Sequence, residues 1–200
     1  MLILACDLAT NSGFAIGNAG EKPRSWAMRL RSDGDDPERA FKRLGIELRD
    51  LFMMEKPDLI VVETPISMGG MVERDDQSAR GFRFKSRPET IYILTGLVGV
   101  VFGIAGPYGI PARKVNVQTV RKHFLGVARP SGDPKKLTVA RCHMLGLMAR
   151  DCKDDNRADA IALHDYAAAT FGRAIPAQLI LHGETPEPET IESVFGGRAP

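Results

Sequence analysis

The sequence is poor in cysteine and has no close cysteine pair. Cys6, Cys142 and Cys152 are an odd count with no C-x-x-C spacing. That excludes a disulfide framework and a zinc ribbon, and makes a reducing cytoplasm the expected setting. The start, Met-Leu-Ile-Leu-Ala-Cys-Asp, has no basic stretch of the signal-peptide kind. No run approaches the roughly 18 apolar residues of a membrane helix. The longest, Ile91 to Ala105, is interrupted by Thr95, Gly96, Gly99 and Gly103, so a buried helix and no membrane partner are expected. His123, His143, His164 and His182 show no metal-ligand spacing, and Gly69-Gly70 is not a phosphate-binding loop, so no nucleotide cofactor is expected. A large charge of one sign is also missing. Lys+Arg number 27 and Asp+Glu 25, a net +2, which excludes a polycation and an acidic disordered chain.

What is present is an ordinary globular composition, 44% hydrophobic and 26% charged over 200 residues, enough for one domain. Leu2 to Cys6 is a short apolar run ending at Asp7. Ala9 to Gly13 has turn chemistry, Phe14 to Gly17 returns as a second strand, and Trp26 to Leu30 alternates as a third. From Pro37 to Met54, Ala40, Phe41, Leu44, Leu48, Leu51 and Phe52 recur at helical spacing, with Asp36 as the expected N-cap. Leu59 to Glu63 is the strongest candidate for a parallel strand. Thr64 to Arg87 is expected to be a long loop or helical hairpin. A helix from Pro88 to Ala105, a strand from Ala112 to Val117 and a short helix from Thr119 to Phe124 follow. Pro130 to Pro134 is a break, and Lys135 to Met148 and Asn156 to Phe171 complete the helices. The expected fold is mixed α/β in three layers over residues 1–173, with an acidic, loosely ordered tail at 174–200.

Two acids end the two best core strands, Asp7 and Glu63. Asp155 and Asp159 are four apart at the start of a helix and so share one face. Taken singly, an Asp at a strand end is commonly a turn residue, and Asp155 also suits an N-cap. Glu63 and Asp159 resist that reading, because each interrupts an apolar surface and needs a partner. If the strands are neighbours, four carboxylates form an oxygen-rich cluster whose repulsion calls for a hard cation, Mg²⁺ or Mn²⁺. Two such ions, about 3.5–4 Å apart, support phosphodiester hydrolysis.

The segments Leu2–Asp7, Ser12–Ile16, Pro57–Glu63 and Asp155–Ala162 resemble the successive motifs of the RuvC-type Holliday-junction resolvases, in their divergent phage-like branch, over about residues 1–170. The resemblance implies an RNase H-like fold and a homodimer acting on four-way DNA junctions. It also implies Mg²⁺-dependent cleavage, with Asp7, Glu63 and Asp159 as metal ligands. Asn156 stands where the bacterial form commonly has its third acid, and Asp155 is the expected substitute. Ala9 replaces a usual glycine. Ile66 replaces an aromatic wedge, for which Phe82 and Phe84 are the available stand-ins. The family also has a lysine approaching the scissile phosphate near the position of Lys135 and Lys136, where a cation offsets transition-state charge.

The near-zero charge is a cancellation. From Ala112 to Arg141 eight basic residues, Arg113, Lys114, Arg121, Lys122, Arg129, Lys135, Lys136 and Arg141, face one acid, Asp133. Arg74, Arg80, Arg83, Lys85 and Arg87 interleave with Phe82 and Phe84, while the tail carries Glu184, Glu187, Glu189 and Glu192. A solvated helix face accounts for any one of these lysines. Together they form a surface for phosphates, with stacking on Phe82 or Phe84 adding about 1–3 kcal/mol per base. Arg121 and Lys122 are expected to hold the DNA backbone. The expected function is a two-metal endonuclease for branched DNA, with four-way junctions the foremost substrate. The alternatives are an RNase H-like nuclease for structured RNA and a non-catalytic branched-DNA-binding relative. An actin-like sugar kinase would need a second domain, for which 200 residues are too few.

Overall fold

The computed structural model describes residues 1–64 and 88–172, and the backbone alone of two short strands between them. Three antiparallel strands open the chain: β1 (Leu2–Asp7), β2 (Asn11–Asn18) and β3 (Arg24–Arg29). Helix α1 (Pro37–Met54) leads to β4 (Leu59–Glu63), which pairs in parallel with β1. The short strands β5 (Met71–Glu73) and β6 (Phe82–Phe84) pair antiparallel as a separate hairpin. Helix α2 (Pro88–Ala105), strand β7 (Ala112–Val115) and helices α3 (Val117–Leu125), α4 (Pro134–Met144) and α5 (Asp155–Phe171) follow. The main sheet runs β3-β2-β1-β4-β7, with β4 and β7 parallel. This is the RNase H-like α/β architecture expected from the sequence.

Strand alternation divides the core in two. Leu4, Cys6, Ile60 and Val62 face α1 and α2, packing with Leu44, Leu48 and Leu97. Ile3, Ala5, Leu59 and Val61 face the other way, toward Val120 and Phe124 of α3, Cys142 of α4 and Ile161 of α5. The three cysteines are free thiols.

Several expectations need correction. Strand β2 begins at Asn11, inside the segment expected to be a turn, because Ser12 satisfies both backbone groups of Ala9. Its Oγ donates to Ala9 O and accepts from Ala9 N, which tightens the β1–β2 connection. Asp36 stands at the N-cap position of α1 but makes no side-chain cap bond. The neighbouring Asp35 instead accepts from the Ser32 amide and pairs with Arg39. Where a loop or helical hairpin was expected, β5 and β6 form a β-hairpin. Asn116 caps α3 two residues earlier than expected, and α4 ends at Met144 rather than Met148. Helix α2 and the 3₁₀ turn after it form a 21-residue stretch, Pro88–Tyr108, long and apolar enough to cross a membrane by length and composition. Glycine and threonine break the apolar run expected there into shorter pieces, but they are not polar enough to bring down the mean hydropathy of the whole stretch. One side of α2 packs on α1, where Gly96 lies so near the Phe41 ring that a Cβ would overlap it. Tyr92 and Phe102 remain exposed.

Candidate active site

The two strand-end acids are adjacent because of register and parity. Cys6 pairs with Val62 in the parallel β1–β4 ladder, so Asp7 and Glu63 follow side by side at the strand ends. Asp7 shares the face of Ile3 and Ala5, and Glu63 that of Leu59 and Val61. Both therefore point to the side of the sheet covered by α5. That helix buries Ala158, Ala160, Ala162 and Ala167, small side chains that let it pack closely against its neighbours. Its start is set by Asp154, whose carboxylate accepts from the amides of Asn156 and Arg157. Asp154 is thus the cap, and Asp155 is the first helical residue. Opposite Asp7 in the β1–β2 ladder stands Gly13, where an added Cβ would overlap the Asn156 carbonyl. Only glycine lets the first turn of α5, with Asp155 and Asp159, come down to the sheet at the level of Asp7.

Three of the four carboxylates are uncomfortable as anions. Burial pushes the Asp7 carboxyl up to about 8, and the charges of Glu63, Asp159 and Asp155 add to the shift. Burial, with Asp159 nearby, raises Glu63 to about 7. Asp159 rises to about 6, again mainly through burial, although Lys135 and Arg121 oppose the shift. Asp155 is the exception: a hydrogen bond from Lys135 Nζ to its Oδ2, 2.5 Å long, holds its carboxyl below the usual range. Mutual repulsion among desolvated carboxylates marks a site built for added positive charge.

Two residues act here in ways the sequence did not reveal. Thr138, buried on α4, donates to Pro134 O at 2.9 Å and lies near enough to the Asp159 carboxylate to favour its anion slightly. Nothing in its spacing distinguishes it from a helix-packing threonine. Arg121, expected on the DNA backbone, lies against the acids and favours the anions of Glu63 and Asp159; with Thr138 it lines a small cleft between them. Its place four residues after the start of α3 was the available signal.

The other basic residues are distributed more simply. Lys114, Lys122, Arg129 and Lys136 are exposed. Arg113 stacks on the Phe171 ring, 5.2 Å from its centroid. Arg74, Arg80, Lys85 and Arg87, and the side chains of Phe82, Arg83 and Phe84, lie outside the described residues, as does the acidic tail. His164 is buried and bonded to Gly17 O at 3.0 Å, so it ties α5 to β2.

The donor set fits a hard divalent ion in its chemistry: four carboxylates with no imidazole or thiolate ligand among them. Among the described residues, no group of three His, Cys, Asp or Glu side chains is placed to hold a metal as it stands. The carboxylates are gathered on one rim, but Asp155 is engaged by Lys135.

By sheet order and helix placement the chain falls in the RNase H-like class of α/β proteins. Within that class it shares the fold of the RuvC-type resolvases. A solved structure of Thermus thermophilus RuvC superposes with a TM-score of 0.60 at 18% identity, covering 84% of this chain and 93% of that one. The same protein in complex with a Holliday junction substrate gives 0.61 at 14% identity, covering 86% and 98%. The yeast mitochondrial Holliday junction resolvase gives 0.52 at 14% identity, covering 83% and 77%. No protein-family profile matches the sequence, and no curated protein is found as a relative.

Proposed function

We propose that this protein is a divalent-metal-dependent endodeoxyribonuclease of the RuvC type that cuts branched DNA, with four-way junctions as the foremost substrate. The observation that carries this reading is the set of desolvated, mutually repelling carboxylates, Asp7, Glu63 and Asp159, on the rim of a resolvase-like sheet. With Asp155 they would hold two Mg²⁺ ions, for which Mn²⁺ can substitute. Bound there, the ions supply activation of a water nucleophile and neutralise charge on the departing oxygen. Lys135 and Lys136 are in the first turn of α4, with Lys135 beside the acids, a suitable place for a cation that meets the scissile phosphate. Arg121 opposes the upward shift of Glu63 and Asp159 and so favours the anions that would serve as ligands. Lys114, Lys122 and Arg129, with Arg113, give the phosphate backbone a basic surface, and the hairpin around β5 and β6 is assigned the junction contacts of Phe82, Phe84 and their neighbouring arginines.

A homodimer belongs to this proposal, because paired cuts across a junction need two sites. The apolar side of α2 left exposed at Tyr92 and Phe102 supports a second copy there. The direct experiment incubates the protein with labelled four-way junction, flap, duplex and structured RNA, each with and without Mg²⁺. The proposal expects Mg²⁺-dependent cleavage of the junction first. Preferential RNA cleavage, or binding without cleavage, would replace it with one of the alternative readings.

A further inference from the structure

We propose that Lys135 is a built-in counter-ion, which neutralises the acid cluster in the metal-free protein and is released toward the substrate phosphate when divalent ions bind. The inference rests on the metal-dependent reading above and assigns Lys135 two successive partners.

The geometry begins with the backbone. Asp133 caps α4 by accepting from the Lys135 amide at 3.0 Å, so the main chain at Lys135 is fixed. Only its four-carbon side chain is free to change partner. An ammonium in the first turn of a helix opposes the helix dipole, so this position disfavours a cation without an anionic partner. The structure supplies that partner as Asp155, 2.5 Å from Nζ, and the same ammonium interacts with Asp159 and Asp7. Among the described residues, Lys135 and Arg121 are the cations whose charges act on these four carboxylates, fewer than the acids they serve. A single divalent ion brings more charge than the lysine does. Two ions with Arg121 outweigh the four carboxylates, and the ammonium then gains nothing by staying.

Asp155 has a clear stake in this exchange. Its carboxylate is the one engaged by Lys135, and among the described residues no three such side chains stand ready to hold a metal. Withdrawal of Nζ frees Asp155 as a ligand and leaves an ammonium beside the helix start, a pair that favours an anion. The Lys135 side chain is half exposed, so it can move without repacking the core. Metal loading and phosphate binding are thereby coupled through one side chain.

The test uses the full chain. Mn²⁺ binding is titrated by calorimetry and by electron paramagnetic resonance in the wild type and in Lys135→Gln. Removal of the competing ammonium is expected to tighten Mn²⁺ binding about three- to tenfold, as befits a partly exposed ion pair in a multi-acid site. In the wild type, acylation of Lys135 mapped by mass spectrometry is expected to rise severalfold on adding Mn²⁺, with Lys136 unchanged. Equal or weaker binding in Lys135→Gln, or Lys135 acylation that does not rise, overturns the counter-ion role while the metal centre stands. Absence of Mn²⁺ binding in both proteins overturns the counter-ion role together with the metal-dependent function.

Discussion

Gly13 of β2 lies against the carbonyl of Asn156 at the start of α5, with no room between them for a methyl group. Since Gly13 is also the ladder partner of Asp7, one contact sets how near the helix acids come to the strand acids. Gly13→Ala is expected to destabilise the fold by about 1–3 kcal/mol through overpacking and to lower cleavage well beyond that loss of folded protein. Denaturant unfolding paired with cleavage by the folded fraction checks this. An active, fully stable Gly13→Ala protein would show that the contact does not set the site.

Removing one buried carboxylate charge should stabilise the metal-free protein while disabling it. Asp7→Asn and Asp159→Asn each relieve repulsion among desolvated anions. In EDTA at pH 8 their melting temperatures are expected to rise by several degrees, about 2–4 °C per kcal/mol for a chain of this size. A lower melting temperature in both variants would mean that the acids serve packing and not function.

The same groups give a pH dependence of defined sign. Asp7, Glu63 and Asp159 bind a proton more tightly in the folded state than in the unfolded one. Their contribution is complete below the unfolded carboxylate range, about pH 4. It is lost as pH rises through about 6 for Asp159, about 7 for Glu63 and about 8 for Asp7. Asp155 runs oppositely, contributing above that range and losing its share only in stronger acid. In EDTA the melting temperature should therefore fall from pH 5 to pH 8, and Mg²⁺ should restore it. A flat profile in the wild type, matching that of Asp7→Asn, is the contrary result.

Arg121 and Lys122 are neighbours in sequence, and the proposed function gives them different tasks. Arg121→Gln removes a cation that favours the Glu63 and Asp159 anions, so the rise of cleavage rate with pH should move to higher pH. Lys122→Gln should leave that profile in place and weaken DNA binding, with a shallower salt dependence. Identical profiles for the two variants would return Arg121 to a plain backbone contact.

Much of the fold was legible because each strand and helix carries its own period. Leu59 to Glu63 and Pro37 to Met54 fall where the apolar pattern ends them. Asp7 and Glu63 stood out because each closes an apolar run, and Asp159 because alanines surround it. The pairing of Asp35 in place of an Asp36 cap was hidden, since both acids suit a helix start and Arg39 decides between them. The β5–β6 hairpin was hidden because its strands are three residues long, too short for alternation to show. Thr138 and the Lys135–Asp155 pair depend on how α4 and α5 pack together, and that packing leaves no local mark in the sequence.

That the gathered acids drive cleavage, and do not merely bind DNA or support the fold, is the core of the proposed function. It is tested most directly by Asp7→Asn on a labelled four-way junction with Mg²⁺, measuring binding and cleavage in the same reaction. Junction affinity is expected at or above the wild-type level, with cleavage lost by about two to three orders of magnitude, roughly the scale of a removed electrostatic catalytic group. Cleavage at the wild-type rate by Asp7→Asn would contradict it.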